Sequence, residues 1–172
     1  MVALGPVLLQ ICNVTNTPGI SVGVMHRGEL IHTANYGFGD VERKLAPNED
    51  TTWLMCSMTK GVTAAMVGMM VDEGKLDFTT QLREIFPHYQ RSDAQANITI
   101  ADPLSHRTGI APYDGLWLSS DNQIVMERSQ AIPTFSYAPA ANPLRTKFGY
   151  NNIAYEIIGQ VLEEISGSTY LD

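Results

Sequence analysis

The chain has 172 residues, of which 44% are hydrophobic and 17% charged, the balance of an ordinary globular protein and not of a disordered one. Its net charge of -7, with 11 Lys and Arg scattered along the sequence, lacks the clustered cations that phosphate binding requires, so nucleic acid is excluded as an expected partner. No apolar run approaches the roughly 20 residues of a membrane span, so no membrane partner is expected.

The opening stretch to Cys12 is apolar but has no basic leader region and no small-residue cleavage site. It reads as a short packed helix, which makes the cytoplasm the expected compartment. Cys12 and Cys56 are too few for a disulfide framework and are expected to be free thiols. After Pro18-Gly19, two apolar runs, Ile20 to Met25 and Glu29 to Ala34, flank Arg27-Gly28 and predict an antiparallel hairpin. Turn-forming residues then dominate to Thr52, which predicts loop with a short strand at most.

From Ser57 to Asp72 the spacing of Val62, Met66, Met69 and Met70 predicts a buried helix stopped at Gly74. The methionines read as adaptable core filling and not as metal ligands. Leu82 to Phe86 predicts a short helix ended by Pro87, and Thr99-Ile100-Ala101-Asp102 has the form of a capping box opening another, with Pro103 early in it. Arg107 to Lys147 is rich in Gly, Pro, Asn and Ser, and reads as long surface connections. Ile153, Ile157, Ile158, Val161, Leu162 and Ile165 then share one helical face, with Gly167 as the stop. Without repeats or linkers, one domain, or one piece of a larger one, is the expected organisation.

Ser57-Met58-Thr59-Lys60 sets a hydroxyl and an amine three residues apart at a helix start, where both reach one point. Serine is a weak nucleophile until a base takes its proton, and a lysine serves once burial or neighbouring positive charge lowers its pKa. The helix N-terminus also favours negative charge developing at a carbonyl oxygen. Ser-x-x-Lys alone arises by chance about once in every one or two chains of this size, as a capping serine and a surface lysine. Here it heads the most apolar helix of the chain, where a lysine charge is costly unless partnered.

Tyr150 and Asn152 precede the last helix two residues apart. Near Lys60, the phenol of Tyr150 becomes a general base, and Asn152 orients Lys60 or donates to a substrate amide. The competing reading is a packing ring followed by an N-cap. His26, His32, His88 and His106 show no ligand or dyad spacing and read as structural or surface residues. A Ser-His-Asp triad through His106 stands as an alternative, but no G-x-S-x-G elbow surrounds any serine.

The order of these landmarks resembles the serine beta-lactamase-like superfamily, in particular the branch of class C beta-lactamases, D-Ala-D-Ala carboxypeptidases, esterases and acyltransferases. The resemblance runs from Pro18-Gly19-Ile20-Ser21-Val22-Gly23-Val24 through Tyr36-Gly37-Phe38-Gly39-Asp40 to Cys56-Ser57-Met58-Thr59-Lys60. It continues at Asp72-Glu73-Gly74-Lys75-Leu76-Asp77, at Leu104-Ser105-His106-Arg107-Thr108-Gly109-Ile110, and at Phe148-Gly149-Tyr150-Asn151-Asn152. It implies an α+β fold of the beta-lactamase/transpeptidase type, an antiparallel sheet with a mostly helical region. It implies attack by Ser57 on a small ester or amide, with Tyr150 and Lys60 sharing the proton and no cofactor or metal required. The oxyanion is met in part by the Ser57 N-H. Two features depart from the pattern: Pro103 stands at an apolar position, and the family's later strands and third motif, Lys-Thr-Gly or His-x-Gly, are not among these residues. Two expectations follow. One is a hydrolase or acyltransferase, for which a place in small-molecule or secondary metabolism fits; the other is a truncated, inactive relative.

Overall fold

The computed structural model describes residues 4–116 and 123–170. The chain divides into two compact units, Met1–Leu54 and Met55–Asp172, and its architecture is α+β, a two-stranded antiparallel sheet accompanied by helices.

In the first unit, helix α1 (Gly5–Thr15) begins with proline in its first turn and ends at Asn16, whose left-handed backbone lets Thr17 N-H return to the Cys12 carbonyl. The expected helix is therefore present, although Val7, Ile11 and Val14 are exposed and Cys12 is buried. Strands β1 (Gly19–His26) and β2 (Glu29–Gly37) pair antiparallel, with Gly19 opposite Gly37 and His26 opposite Glu29. Arg27 and Gly28 both have positive φ, at 51° and 84°, which gives the two-residue turn the twist a hairpin needs. The open end requires glycine, because a Cβ on Gly37, itself at φ 72°, would lie 2.2 Å from the Pro18 carbonyl oxygen. Beyond it, Asp40 and Leu45 form an isolated bridge, the short strand-like pairing expected there.

The second unit is helical and is organised on α6 (Asn152–Ser166), against which α2 (Thr59–Asp72), α4 (Ala101–Leu104) and α5 (Ala131–Tyr137) pack. Five of the six apolar residues predicted for the inner face of α6 are fully buried, Ile165 is partly so, and Gly167 ends the helix at φ 72°. The short α3 (Leu82–Ile85) lies before Pro87 and is opened by the Glu84 carboxylate, which accepts from Gln81 N-H at 3.0 Å. At α4 the Asp102 carboxylate accepts from Thr99 N-H at 2.8 Å, the half of the expected box that the acid supplies.

Two sequence expectations need correction. The helix after Ser57 is not buried on the face drawn through Val62 and Met69, which are exposed. The inward residues are Thr63 and Val67, with Met66 and Met70 partly covered. Because the helix is apolar nearly all round, periodicity does not fix its inner face. Thr63 is held inward by a 2.6 Å hydrogen bond to the Tyr170 hydroxyl. Nor is 107–147 simply surface connection. It contains α5, with Ala131, Ile132 and Phe135 buried in the core, and the Ile110 side chain joins them. Helix α5 is completed from a distance. The Arg91 guanidinium, its side chain 6% exposed, donates to the carbonyls of Phe135, Ser136 and Ala138 at 2.8–2.9 Å and pairs with Asp93.

Because Ile158 is wholly buried where α6 meets its neighbours, Ile158→Ala should lower the stability of the second unit by about 2–5 kcal/mol. Urea denaturation followed by circular dichroism measures this.

Candidate active site

All of the predicted site residues lie in the second unit. Ser57 sits in a 3₁₀ turn, Cys56–Met58, that runs directly into α2, and Cys56 enters it with a positive φ of 46°. Lys60 follows in the first turn of α2 and is partly buried. Its Nζ donates to Ser57 Oγ at 3.2 Å and to Asn152 Oδ1 at 2.7 Å. The expectation that this lysine would need partners is met by those two contacts, and by the rings of Tyr150 and Tyr155, whose centroids lie 4.8 Å and 5.5 Å from Nζ.

Tyr150 donates its hydroxyl to the same Ser57 Oγ at 2.5 Å. The structure thus brings together Ser57, Lys60, Tyr150 and Asn152, although Ser57 and Lys60 are 92 or more residues from their partners in α6 and its approach. Asn152 has both ends of its amide engaged, since Nδ2 donates to Asp114 Oδ1 at 3.2 Å while Oδ1 receives Lys60. That arrangement leaves the amide committed within the protein. The phenol of Tyr150 is held below its ordinary value of 10, first by polar contact with the Lys60 ammonium and then by the Ser57 hydrogen bond.

The N-cap of α6 is Asn151, 1% exposed, and not its neighbour Asn152. Its Oδ1 accepts from Ala154 N-H at 3.0 Å, and its Nδ2 donates to the Ile110 and Ala111 carbonyls at 3.2 and 3.3 Å. One asparagine therefore closes the helix and the next faces the lysine. The packing-and-cap reading describes Asn151, while Tyr150 and Asn152 on either side point to the Ser57–Lys60 pair.

Sequence reasoning passed over His106 as structural or surface. It is buried, has a left-handed backbone with φ 56°, and accepts the Asn151 N-H on Nδ1 at 3.1 Å. Its ring lies 4.5 Å from that of Tyr150 and 5.0 Å from that of Tyr155. Burial, and then the charge of Lys60, push its pKa below the ordinary imidazole value. Ser57 Oγ is met by Tyr150 and Lys60, so the triad alternative through His106 finds no support in this geometry. The signal in the sequence was the Leu104-to-Ile110 segment, whose His106 and Gly109 both need unusual backbone.

An open cleft of about 560 Å³ borders the group, with Ser57, Lys60, Thr63, Asn152, Tyr155 and Tyr170 among its walls. Among the described residues no cluster of three or more His, Cys, Asp or Glu could hold a metal ion, and no helix is long and apolar enough to cross a membrane. Cys12 is buried, Cys56 is exposed at the site, and both are free.

The fold is that of beta-lactamases and penicillin-binding protein homologues. It matches a class C beta-lactamase from Rhodobacter sphaeroides with a TM-score of 0.80 at 18% identity, over 99% of this chain and 46% of that one. Residues 11–172 match the model of the Beta-lactamase family, and the chain belongs to that family. Among curated proteins it is 24% identical to Protein flp of Staphylococcus aureus, over 89% of this chain and 31% of that protein. It is 28% identical to the unguisins hydrolase ungD of Aspergillus violaceofuscus, over 87% and 28% respectively. The chain thus spans about a third of the length of these relatives.

Asn151→Ala removes the helix cap and leaves two carbonyls without their donor. It should cost about 2–4 kcal/mol of stability in the second unit, measured by chemical denaturation.

Proposed function

We propose that this chain carries the nucleophile-bearing part of a serine acyl-transfer enzyme acting on a small ester or amide, with Ser57 as nucleophile and Lys60 and Tyr150 handling its proton. The observation that carries the reading is the convergence on Ser57 Oγ of Tyr150 OH at 2.5 Å and Lys60 Nζ at 3.2 Å. As Tyr150 loses its proton to solvent, the hydrogen bond reverses and the phenolate accepts from the serine. Ser57 Oγ then bonds to the carbonyl carbon and its proton passes to Tyr150. The tetrahedral oxyanion is met by the Ser57 N-H at the head of the helix.

Collapse breaks the bond to the leaving oxygen or nitrogen, which takes the proton back from Tyr150, and the acyl group remains as an ester on Ser57. Water or another acceptor resolves that ester with Tyr150 again as base. Lys60 sits beside the phenolate and is aimed by Asn152 Oδ1 at 2.7 Å. The Aspergillus relative is named for hydrolysis and the Rhodobacter neighbour as a beta-lactamase. Both names favour water as the final acceptor and a small molecule as substrate.

A second reading, an inactive relative, is favoured by the openness of the group: Ser57 is exposed and Tyr150 is 40% exposed, so water competes for every charge that develops there. Intact-mass measurement separates the two. After incubation with an activated aryl ester and a fluorescent penicillin, the wild-type chain should gain one acyl adduct that Ser57→Ala does not. A folded wild-type sample without adduct makes these residues an inactive span of the fold.

The acylation rate should rise with pH to a midpoint below 10, because the Tyr150 phenolate is the base and its pKa is lowered. Lys60→Met should move that midpoint upward and cut the rate by about 100-fold or more, read by stopped-flow release of the aryl alcohol.

A further inference from the structure

We infer that His106 is a positioning residue for the acyl-transfer group: with Nδ1 as a hydrogen-bond acceptor and its main chain as a second anchor, it fixes the Tyr150 segment against Ser57. The inference rests on the proposed role of Tyr150 as base, and extends it to a residue that touches neither Ser57 nor substrate.

Four contacts place the histidine. Its carbonyl accepts from Gly149 N-H at 2.7 Å, and its Nδ1 accepts from Asn151 N-H at 3.1 Å. The N-H groups of the residues before and after Tyr150 are therefore both held by one residue. The imidazole lies against the phenol ring at 4.5 Å with the planes 32° apart, and Tyr155 backs it at 5.0 Å, its own hydroxyl tied to the Leu104 carbonyl at 2.8 Å. The left-handed φ of 56° is what allows carbonyl and ring to point at the same strand of chain.

Direction matters in the Nδ1 contact. A peptide N-H can only donate, so Nδ1 must be unprotonated and the remaining ring proton sits on Nε2. A second proton would set N-H against N-H and add a charge near Lys60. The titratable groups facing the ring are Lys60 from α2, Tyr150 from the approach to α6, and Tyr155 from α6 itself. Burial raises the Tyr155 phenol, which therefore offers the ring no negative charge, and Lys60 opposes a cation. Burial acts the same way. The neutral form is thus the folded-state form, and the clamp is intact above the ordinary imidazole value of 6.5. It is lost as pH falls through the lower folded-state value.

The test reads Tyr150 directly in this chain, by ¹³Cζ-tyrosine NMR titration, which does not depend on acylation. His106→Gly tolerates the left-handed backbone but removes the acceptor and the ring. His106→Asn is favoured at positive φ and returns an acceptor oxygen close to the Nδ1 position without a titratable group. In His106→Gly the Tyr150 midpoint should rise toward 10, and any acylation should slow by about 10- to 100-fold with little change in KM. In His106→Asn the midpoint should stay near the wild-type value, and Asn151 amide protection should no longer fall with acid as it does in the wild type.

If both variants keep the wild-type Tyr150 midpoint, or if both raise it equally, the acceptor role of Nδ1 is overturned. Absence of acylation in the wild type would instead sink the enzymatic reading alone, since the titration of Tyr150 would still decide the part played by His106.

Discussion

The hydrogen bond from Lys60 Nζ to Asn152 Oδ1 joins the first turn of α2 to the first turn of α6, and the chemistry of the group depends on it. Without that bond, a lysine side chain with four rotatable carbons has no reason to hold its ammonium over Ser57. With it, the charge is fixed at 3.2 Å from the serine oxygen and close to the Tyr150 ring. The amide can do this because its other end is occupied by Asp114, which settles which atom faces the lysine. The apolar face of α6 supplies the rigidity beneath, through Ile153, Ile157 and Val161, so that a polar contact at the helix start is set by packing further along it.

Tyr150 poses the complementary problem, since it belongs to an irregular approach of the kind that is ordinarily mobile. That approach is tied back to the segment after α4 at several points. Arg145 N-H reaches the Arg107 carbonyl, the Arg107 guanidinium returns to the Arg145 carbonyl, and the amides of Ala141 and Asn142 converge on the Gly109 carbonyl. The Arg145 guanidinium also grips the buried Asp102 carboxylate through two bonds, at 2.8 and 2.9 Å. Gly109 is required there, because a Cβ would meet the Asn142 carbonyl oxygen at 2.3 Å. A long connection is in this way stiffened before it delivers Tyr150 to the serine.

Most of this was legible only where the signal was local. The hairpin turn at Arg27-Gly28, the amphipathic face of α6 and the three-residue spacing of Ser57 and Lys60 are properties of neighbouring residues, and each appears as the sequence implied. Helix α5 was missed because its seven residues hold a proline and too few turns to show a period, and because its carbonyl end is satisfied by Arg91, some 44 residues earlier. The inner face of α2 was misassigned because apolar residues lie on all sides of it. What turns Thr63 inward is Tyr170, which no spacing rule connects to it. His106 was undervalued for the same reason, its meaning lying in contacts with residues more than forty positions away.

One charge bears on the titration of both Tyr150 and His106. Lys60 lowers the phenol of Tyr150, favouring its anion, while burial first and Lys60 second lower the imidazole of His106, disfavouring its cation. The ammonium therefore favours the anionic form of Tyr150 and adds to burial in keeping His106 a hydrogen-bond acceptor. Asp114 acts in the opposite sense on Tyr150, but weakly. Removing the lysine charge would thus release the phenol and relieve only part of the pressure on the imidazole, which burial maintains, whereas altering His106 acts on the phenol through its position. The two residues support the same oxygen by different physics, Lys60 through field and His106 through geometry, and this separation is what makes their contributions distinguishable by titration.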